Sequence, residues 1–218
     1  NGFVFWTNGG WVSKFESIYK IDYSSLYYQH NYKLSKNISI VLNLRQDNYK
    51  NNYNNNIETT NSSTYEQSYL EGSENFNEDF ISTRFGLKVY NTFISASQNH
   101  KPGGFNQNPY VNSDYRQYLP EKTTNFEIGF NKNIEQLSVN LNIFHMIRKN
   151  MQVDIADQAD LSNPVTFYFY TANVKRGTNS GLDLLLNYKL NNKINLFFNC
   201  GLLESTKDSF TYPSPILN

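Results

Sequence analysis

Apolar residues in this chain recur at every second position, the spacing of a strand, and the three-to-four spacing of an amphipathic helix is nearly absent. In 37–45, Ile38, Ile40, Leu42 and Leu44 share one face; Asn37, Ser39, Asn43 and Arg45 share the other, with Val41 the exception. In 81–89 the apolar face is Ile81, Phe85, Leu87 and Val89, against Ser82, Arg84, Gly86 and Lys88. The pattern returns at Phe126, Ile128 and Phe130, at Leu137, Val139, Leu141 and Ile143, and at Ile194, Leu196, Phe198, Cys200 and Leu202. It is less clean in 182–190, where Leu185 falls on the polar side, and it assigns no faces in 4–12 or 93–98. Ten strands are predicted, near 3–14, 21–33, 37–48, 79–90, 92–99, 122–132, 136–149, 164–174, 179–190 and 193–204.

The connections add a second regularity. Short polar ones around Leu34-Ser35-Lys36, Tyr90-Asn91, 131–135 and Asn191-Asn192 alternate with long ones, roughly 49–77, 100–121 and 150–164. The Asn-rich 49–61 is expected to be a mobile loop. Alternation of faces alone fits a soluble antiparallel sheet with one wet side equally well. Strict short–long alternation favours an outer-membrane barrel, whose turns are short on one side of the membrane and long on the other. No run approaches the ~18–20 apolar residues of a membrane helix, but a barrel strand needs only ~9–11 alternating ones. Aromatics near predicted strand ends (Tyr27, Tyr28 and Tyr32; Phe167, Tyr168, Phe169 and Tyr170; Tyr188) are expected to form interfacial girdles.

Composition fits strands and turns: 17 Tyr, 16 Phe and 34 Asn in 218 residues. Nineteen basic against nineteen acidic residues give a net charge of zero, so nothing points to a nucleic-acid partner. The single cysteine, Cys200, excludes an internal disulfide and an all-cysteine metal site. His30, His100 and His145 share no ligand spacing with it. Asp154, Asp157 and Asp160 recur every third residue but lack the glycine of a calcium loop, and read as a solvated acidic loop. No G-x-S-x-G, H-E-x-x-H or phosphate-binding loop occurs, and no metal site, cofactor or enzymatic activity is expected. Gly103-Gly104 after Pro102 reads as a turn needing backbone freedom at a strand end. The chain opens at Asn1-Gly2-Phe3 without a signal peptide and closes beyond Pro213 and Pro215, so both ends are expected to be cuts in something longer.

Several segments, in order, resemble the barrel of TonB-dependent receptors, the siderophore-receptor subgroup above all. Residues 23–34 followed by 38–47 resemble a strand pair ending in a G-L-R-Y type signature, with Asn43 in place of the glycine before Leu44-Arg45. Residues 95–106 read S-A-S-Q-N-H-K-P-G-G-F-N, similar to S-x-x-x-x-K-x-G-G-F-N. Leu119-Pro120-Glu121 with 125–129 resembles P-E … N-x-E-x-G, and Phe144 to Gln152 resembles a spaced F … Q pair. Asn173 through Arg176, then Gly181-Leu182-Asp183, resembles N-x-x-x … G-x-E with Asp in place of Glu.

The resemblance covers about 20–205 and implies an all-β fold: a transmembrane antiparallel barrel fragment, residues 1–218, contributing about ten strands of a 22-stranded barrel, with no plug domain. It further implies import of a large scarce solute, a ferric siderophore foremost, across the outer membrane of a Gram-negative bacterium. The implied partners are outer-membrane lipid and a TonB-type energy-coupling protein, which would act through a plug domain absent from this chain. Candidate ligand-binding positions on the rim or lumen are Arg84, His100, Lys101, Glu121 and Glu127. Inward charges in such barrels usually pair with one another or with the plug. A passive porin-like channel, a barrel enzyme or adhesin, and a soluble β-sandwich binding module remain open alternatives.

Overall fold

The computed structural model describes residues 3–7, 11–61, 67–107, 111, 115–158 and 167–210. Among them every regular element is a strand: β1 (Phe3–Thr7), β2 (Trp11–Lys33), β3 (Ile38–Asn61), β4 (Gln67–Val89), β5 (Thr92–Lys101), β6 (Gly104–Phe105), β7 (Gln117–Tyr118), β8 (Glu121–Ile134), β9 (Leu137–Gln158), β10 (Phe167–Lys189) and β11 (Asn195–Lys207). Nine form one open antiparallel meander, β1-β2-β3-β4-β5-β8-β9-β10-β11, and β6 pairs with β7 apart from it. This is the all-β antiparallel barrel fragment that the alternation and the resemblance imply.

Several expectations about boundaries change, and 3–14 is divided between β1, which ends at Thr7, and β2, which begins at Trp11. Residues 164–174 and 179–190 are not separate strands, because β10 runs unbroken from Phe167 to Lys189. The Asn-rich 49–61 is not a loop: β3 continues through it, paired with β2 from Lys33↔Ser39 to Trp11↔Asn61. Two ladders, to β2 and to β4, supply the backbone partners that Asn-rich sequence does not itself specify. Likewise 150–158 belongs to β9, so Asp154 and Asp157 lie on a strand; Asp160 lies outside the described residues.

The short turns gather at one end. Leu34 and Ser35 donate backbone N–H groups to the Ile38 carbonyl. Tyr90-Asn91 and Glu135-Gln136 are two-residue hairpin loops whose first residues adopt φ 54° and 45°. The Asn191 side chain accepts from the N–H groups of Lys193 and Ile194.

Next to these turns the polarity of an ordinary protein is inverted. Pairing fixes the faces: Asn43 lies opposite Arg84, which lies opposite Ser97. That side carries Arg45, Ser82, Ser95 and Glu127, and is the inner wall. The other side carries Leu42, Leu44, Ile81, Phe85, Ile94, Phe126, Ile128, Ile143, Leu196, Phe198 and Leu202, every one of them exposed. Such an exposed apolar band is what a transmembrane barrel presents to lipid. Tyr28, His30 and Tyr32 stack along the outer face of β2 beside its turn, at centroid spacings of 6.3 and 6.2 Å. Tyr188 sits at the same level on β10, beside Leu137 and Leu196. These positions suit an interfacial girdle, but Tyr27, opposite Arg45, lies on the inner wall and takes no part in it.

The other expected girdle group does not sit at a membrane edge. Phe167–Tyr170 open β10 at the end remote from the turns, far beyond the apolar band. Tyr170 is buried there with Val111 and Ile155, and Tyr115, Val153, Ala172 and Phe210 complete that cluster.

Above the band, the faces of β2, β3 and β4 exchange character. Outward positions become Gln46, Asn48, Lys50 and Asn52 on β3, and Asp79, Asn77 and Asn75 on β4. Inward positions become Tyr49, Tyr53, Phe76 and Phe80, with Tyr53 and Phe80 buried. The inner wall is apolar here because something covers it.

Candidate functional site

What covers it is the connection between β5 and β8, which folds inward instead of standing clear of the sheet. Phe105 is its anchor. The ring stacks on Tyr53 (centroids 5.6 Å) and meets Tyr19 and Phe76 edge-on (6.1 and 6.4 Å), so one residue bridges β2, β3 and β4. The Tyr53 hydroxyl donates to the Gln107 carbonyl at 3.2 Å, and the Arg116 guanidinium lies 5.7 Å from the centre of the Tyr53 ring. Arg116 also donates to the carbonyls of Asn106 and Val111, which holds the segment's own curve.

Carboxamides fasten the other side. Gln152 of β9 donates to the carbonyls of Pro102 and Leu119 at 2.8 and 3.1 Å, tying together the two ends of the segment. Asn173 of β10 accepts from the Leu119 N–H and donates to its carbonyl. Asn106 does the same to the backbone of Thr171, at 2.9 and 2.8 Å. Among the described residues β11 pairs with β10 only from Gly177 onward and does not reach Thr171. There the Asn106 side chain partners the strand backbone.

The two glycines have a reason other than backbone freedom. A Cβ on Gly103 would stand 2.5 Å from the Tyr118 carbonyl oxygen, and one on Gly104 2.5 Å from the Tyr118 hydroxyl oxygen. Backbone packing excludes a side chain at Gly103, and at Gly104 the Tyr118 side chain would have to move aside.

Between this segment and the wall lies a cavity of about 250 Å³, lined by Tyr19, Tyr49, Asn51, Lys101, Tyr118 and Asp154 among others. Burial pushes the phenols of Tyr19, Tyr49 and Tyr118 above their usual range, so they are neutral hydroxyl donors. Glu78, diagonal to Asn51 across the β3–β4 ladder, accepts the Gly103 N–H at 3.0 Å. Its burial pushes the carboxyl up to about 7, and the Gly103 bond offsets only part of that. Two buried polar atoms here have no hydrogen-bond partner, Asn51 Nδ2 and Glu78 Oε1.

The five positions singled out from sequence fall in different places. Arg84 and Glu127 meet on the inner wall at membrane level, 3.3 Å apart, with Ser95 bonded to both. Glu121 is buried in a two-pronged pair with Arg148, at 2.6 and 2.7 Å, and also accepts the Gln152 N–H. Burial alone would raise its pKa; the Arg148 and Gln152 bonds, with Lys101 nearby, outweigh that and hold it below the usual carboxylate range. His100 stacks on Phe80 at 5.0 Å, just past the point where the β4–β5 ladder stops. Its pKa is lowered by burial and by Lys122. Of the five, Lys101 alone lines the cavity.

Sequence reasoning passed over Tyr19, Asn51, Tyr118 and Asp154 as cavity residues. The signal available was the continued alternation of Tyr49, Asn51 and Tyr53 inside a stretch read as a loop. Among the remaining candidates, His145 bonds Ser180 across strands at 2.8 Å. No group of three metal-ligating side chains occurs among the described residues.

Comparison with known proteins converges on one family. The family model described as TonB dependent receptor-like, beta-barrel matches residues 4–215. No curated protein matches the chain. Among solved structures, the siderophore receptor PiuA from Acinetobacter baumannii is similar over 94% of this chain and 28% of its own, at 21% identity and a TM-score of 0.60. The ferric yersiniabactin uptake receptor FyuA from Yersinia pestis is similar over 91% of this chain and 28% of its own, at 16% identity and a TM-score of 0.59. At these identities the likeness concerns the fold. The chain spans about a quarter to a third of the length of these receptors.

Proposed function

The chain belongs to the TonB-dependent receptor-like β-barrel family, and from that premise we propose that residues 1–218 are one stretch of the barrel domain of an outer-membrane receptor that imports a large, scarce solute, a ferric siderophore foremost. The surrounding solvent would be outer-membrane lipid of a Gram-negative cell. A TonB-type protein would supply energy by acting on a plug domain supplied by the rest of the receptor. The work done is binding and release, with no bond-making step.

The inward-folded segment carries this reading. A receptor needs concave, partly apolar ground with a few fixed polar groups, and the cavity beneath Phe105 and its segment supplies it. The phase change on β2, β3 and β4 supports it further, since it makes the wall above the membrane sticky on the inside. That the receptors from Yersinia pestis and Acinetobacter baumannii are a ferric yersiniabactin uptake receptor and a siderophore receptor supports the choice of solute. Within this picture Arg84 and Glu127 would face the plug, and Lys101 the solute; His100 and Glu121 would shape the wall.

The test is growth under iron starvation. The full-length reading frame should restore growth to a receptor-deficient strain supplied with a ferric siderophore, and only when the energy-coupling system is intact. Growth that persists without coupling would point to a passive channel instead.

A further inference from the structure

We propose that the cavity under the inward segment is a subsite for an electrically neutral, amide- or hydroxyl-bearing part of the solute, so that the receptor favours uncharged ferric complexes over polyanionic ones. This rests on the reading of the chain as a siderophore-receptor barrel, and narrows its substrate class.

Size comes first. About 250 Å³ lies below the ~300–1,000 Å³ that holds a drug-sized molecule, so the cavity takes one arm of a larger solute. Next is unmet hydrogen bonding. Asn51 is 1% exposed and lines the cavity. Its Oδ1 accepts from the Tyr19 hydroxyl at 3.4 Å, while its Nδ2 has no partner. Buried polar atoms left unpaired are costly, and a ligand that pairs them recovers that cost. A carbonyl or hydroxyl oxygen suits Asn51 Nδ2.

Charge then narrows the ligand. Lys101 and Asp154 are the two charged residues lining the cavity, and they cancel. Arg148 nearby is committed to Glu121, and Arg116 to carbonyls of its own segment. A ferric tris-catecholate carries three negative charges, because each catecholate brings two against the trivalent iron. A ferric trihydroxamate carries none. Seating the former would set a trianion against a lining whose one cation, Lys101, is already balanced by Asp154.

The test uses the full-length receptor in detergent, titrated with ferrichrome (an uncharged trihydroxamate) and with ferric enterobactin (a trianionic tris-catecholate). Ferrichrome should bind at least about tenfold more tightly. Asn51→Leu should weaken it by about another tenfold, the worth of one hydrogen bond left unmade, and leave the catecholate unchanged. Asp154→Asn keeps the size and removes the one acidic residue lining the cavity, and should strengthen catecholate binding several-fold. Resistance of each variant to unfolding in cold detergent verifies that the barrel is intact. Tighter binding of the catecholate, or Asn51→Leu affecting both complexes alike or neither, overturns the inference and leaves the receptor reading standing. If neither ferric complex binds, the siderophore reading and the inference fall together.

Discussion

The lower and upper halves of β2, β3 and β4 share the same strands and the same pairing, yet they solve opposite problems. Beside the turns, Leu42, Leu44, Phe85 and Leu87 face outward while Asn43, Arg45 and Arg84 face the lumen. A few residues higher, Asn48, Lys50 and Asp79 face outward while Tyr49, Tyr53 and Phe80 face in. The backbone does not notice the change, because side-chain direction has period two whatever surrounds the sheet. What changes is the solvent: hydrocarbon outside and a wet lumen below, water outside and a folded-in segment above. The sequence writes a strand in both regions, but in opposite phase.

The largest expected effect breaks the lower half only. Leu141→Arg places a charge within the apolar band on the outer face of β9, and should destabilise the full-length barrel by about 2–4 kcal/mol in urea titrations. Asn140→Arg on the lumen side, and Asn52→Arg on the outer face above the band, should each cost well under half of that. Equal losses at all three positions would contradict the assignment of a lipid-facing band.

The upper half is broken from within. Phe105→Ala removes the ring that touches Tyr19, Tyr53 and Phe76. A buried phenylalanine truncated to alanine costs about 3 kcal/mol or more when its surroundings cannot collapse. Here the loss should be local. Hydrogen exchange in 102–119 should speed up by two orders of magnitude or so, while amides in 137–147 of β9 keep their protection. Faster exchange spread over all strands would mean that the segment supports the whole sheet and does not merely rest on it.

This same contrast explains what could be read from the sequence. The lower half was legible because a one-phase alternation over eight or nine residues is a clear signal; 37–45, 81–89 and 137–143 stand as predicted. In 46–61 the phase reverses, so an averaging window cancels its own signal, and the many asparagines there imitate a loop. Gly103-Gly104 gave away the place of the inward segment but not its reason, since steric exclusion by Tyr118 depends on a partner fourteen or fifteen residues away. Glu121 was visible as a charge, and Arg148 as another; that they form a buried pair required the β8–β9 register, which no single segment contains. The cavity was the least legible feature, because its walls come from β2, β3, β5, β7, β9 and β10 at once.

The smallest effect expected is a dependence on pH, and it sharpens the comparison because it arises only above the membrane. Glu78 holds Gly103 from the wall, and burial has raised its carboxyl to about 7, whereas in an opened segment it would return toward the ordinary 4.5. Below pH 4.5 the carboxyl is protonated in both states, and its contribution to closure is fully present. Between 4.5 and 7 the closed form keeps a proton that the open form releases, so raising the pH favours opening. Above 7 both forms are ionised and the dependence levels off. Exchange or proteolytic cleavage in 102–119 should therefore increase from pH 5 to pH 7.5, by at most about tenfold per pH unit, the limit for a single proton. Glu78→Gln retains the acceptor for Gly103 and cannot ionise, so it should flatten the profile. Glu121→Gln should leave the slope over this window in place, because Arg148 holds that carboxylate ionised well below it. A slope that survives Glu78→Gln would assign the proton to some other group and leave Glu78 as a neutral spacer under the segment.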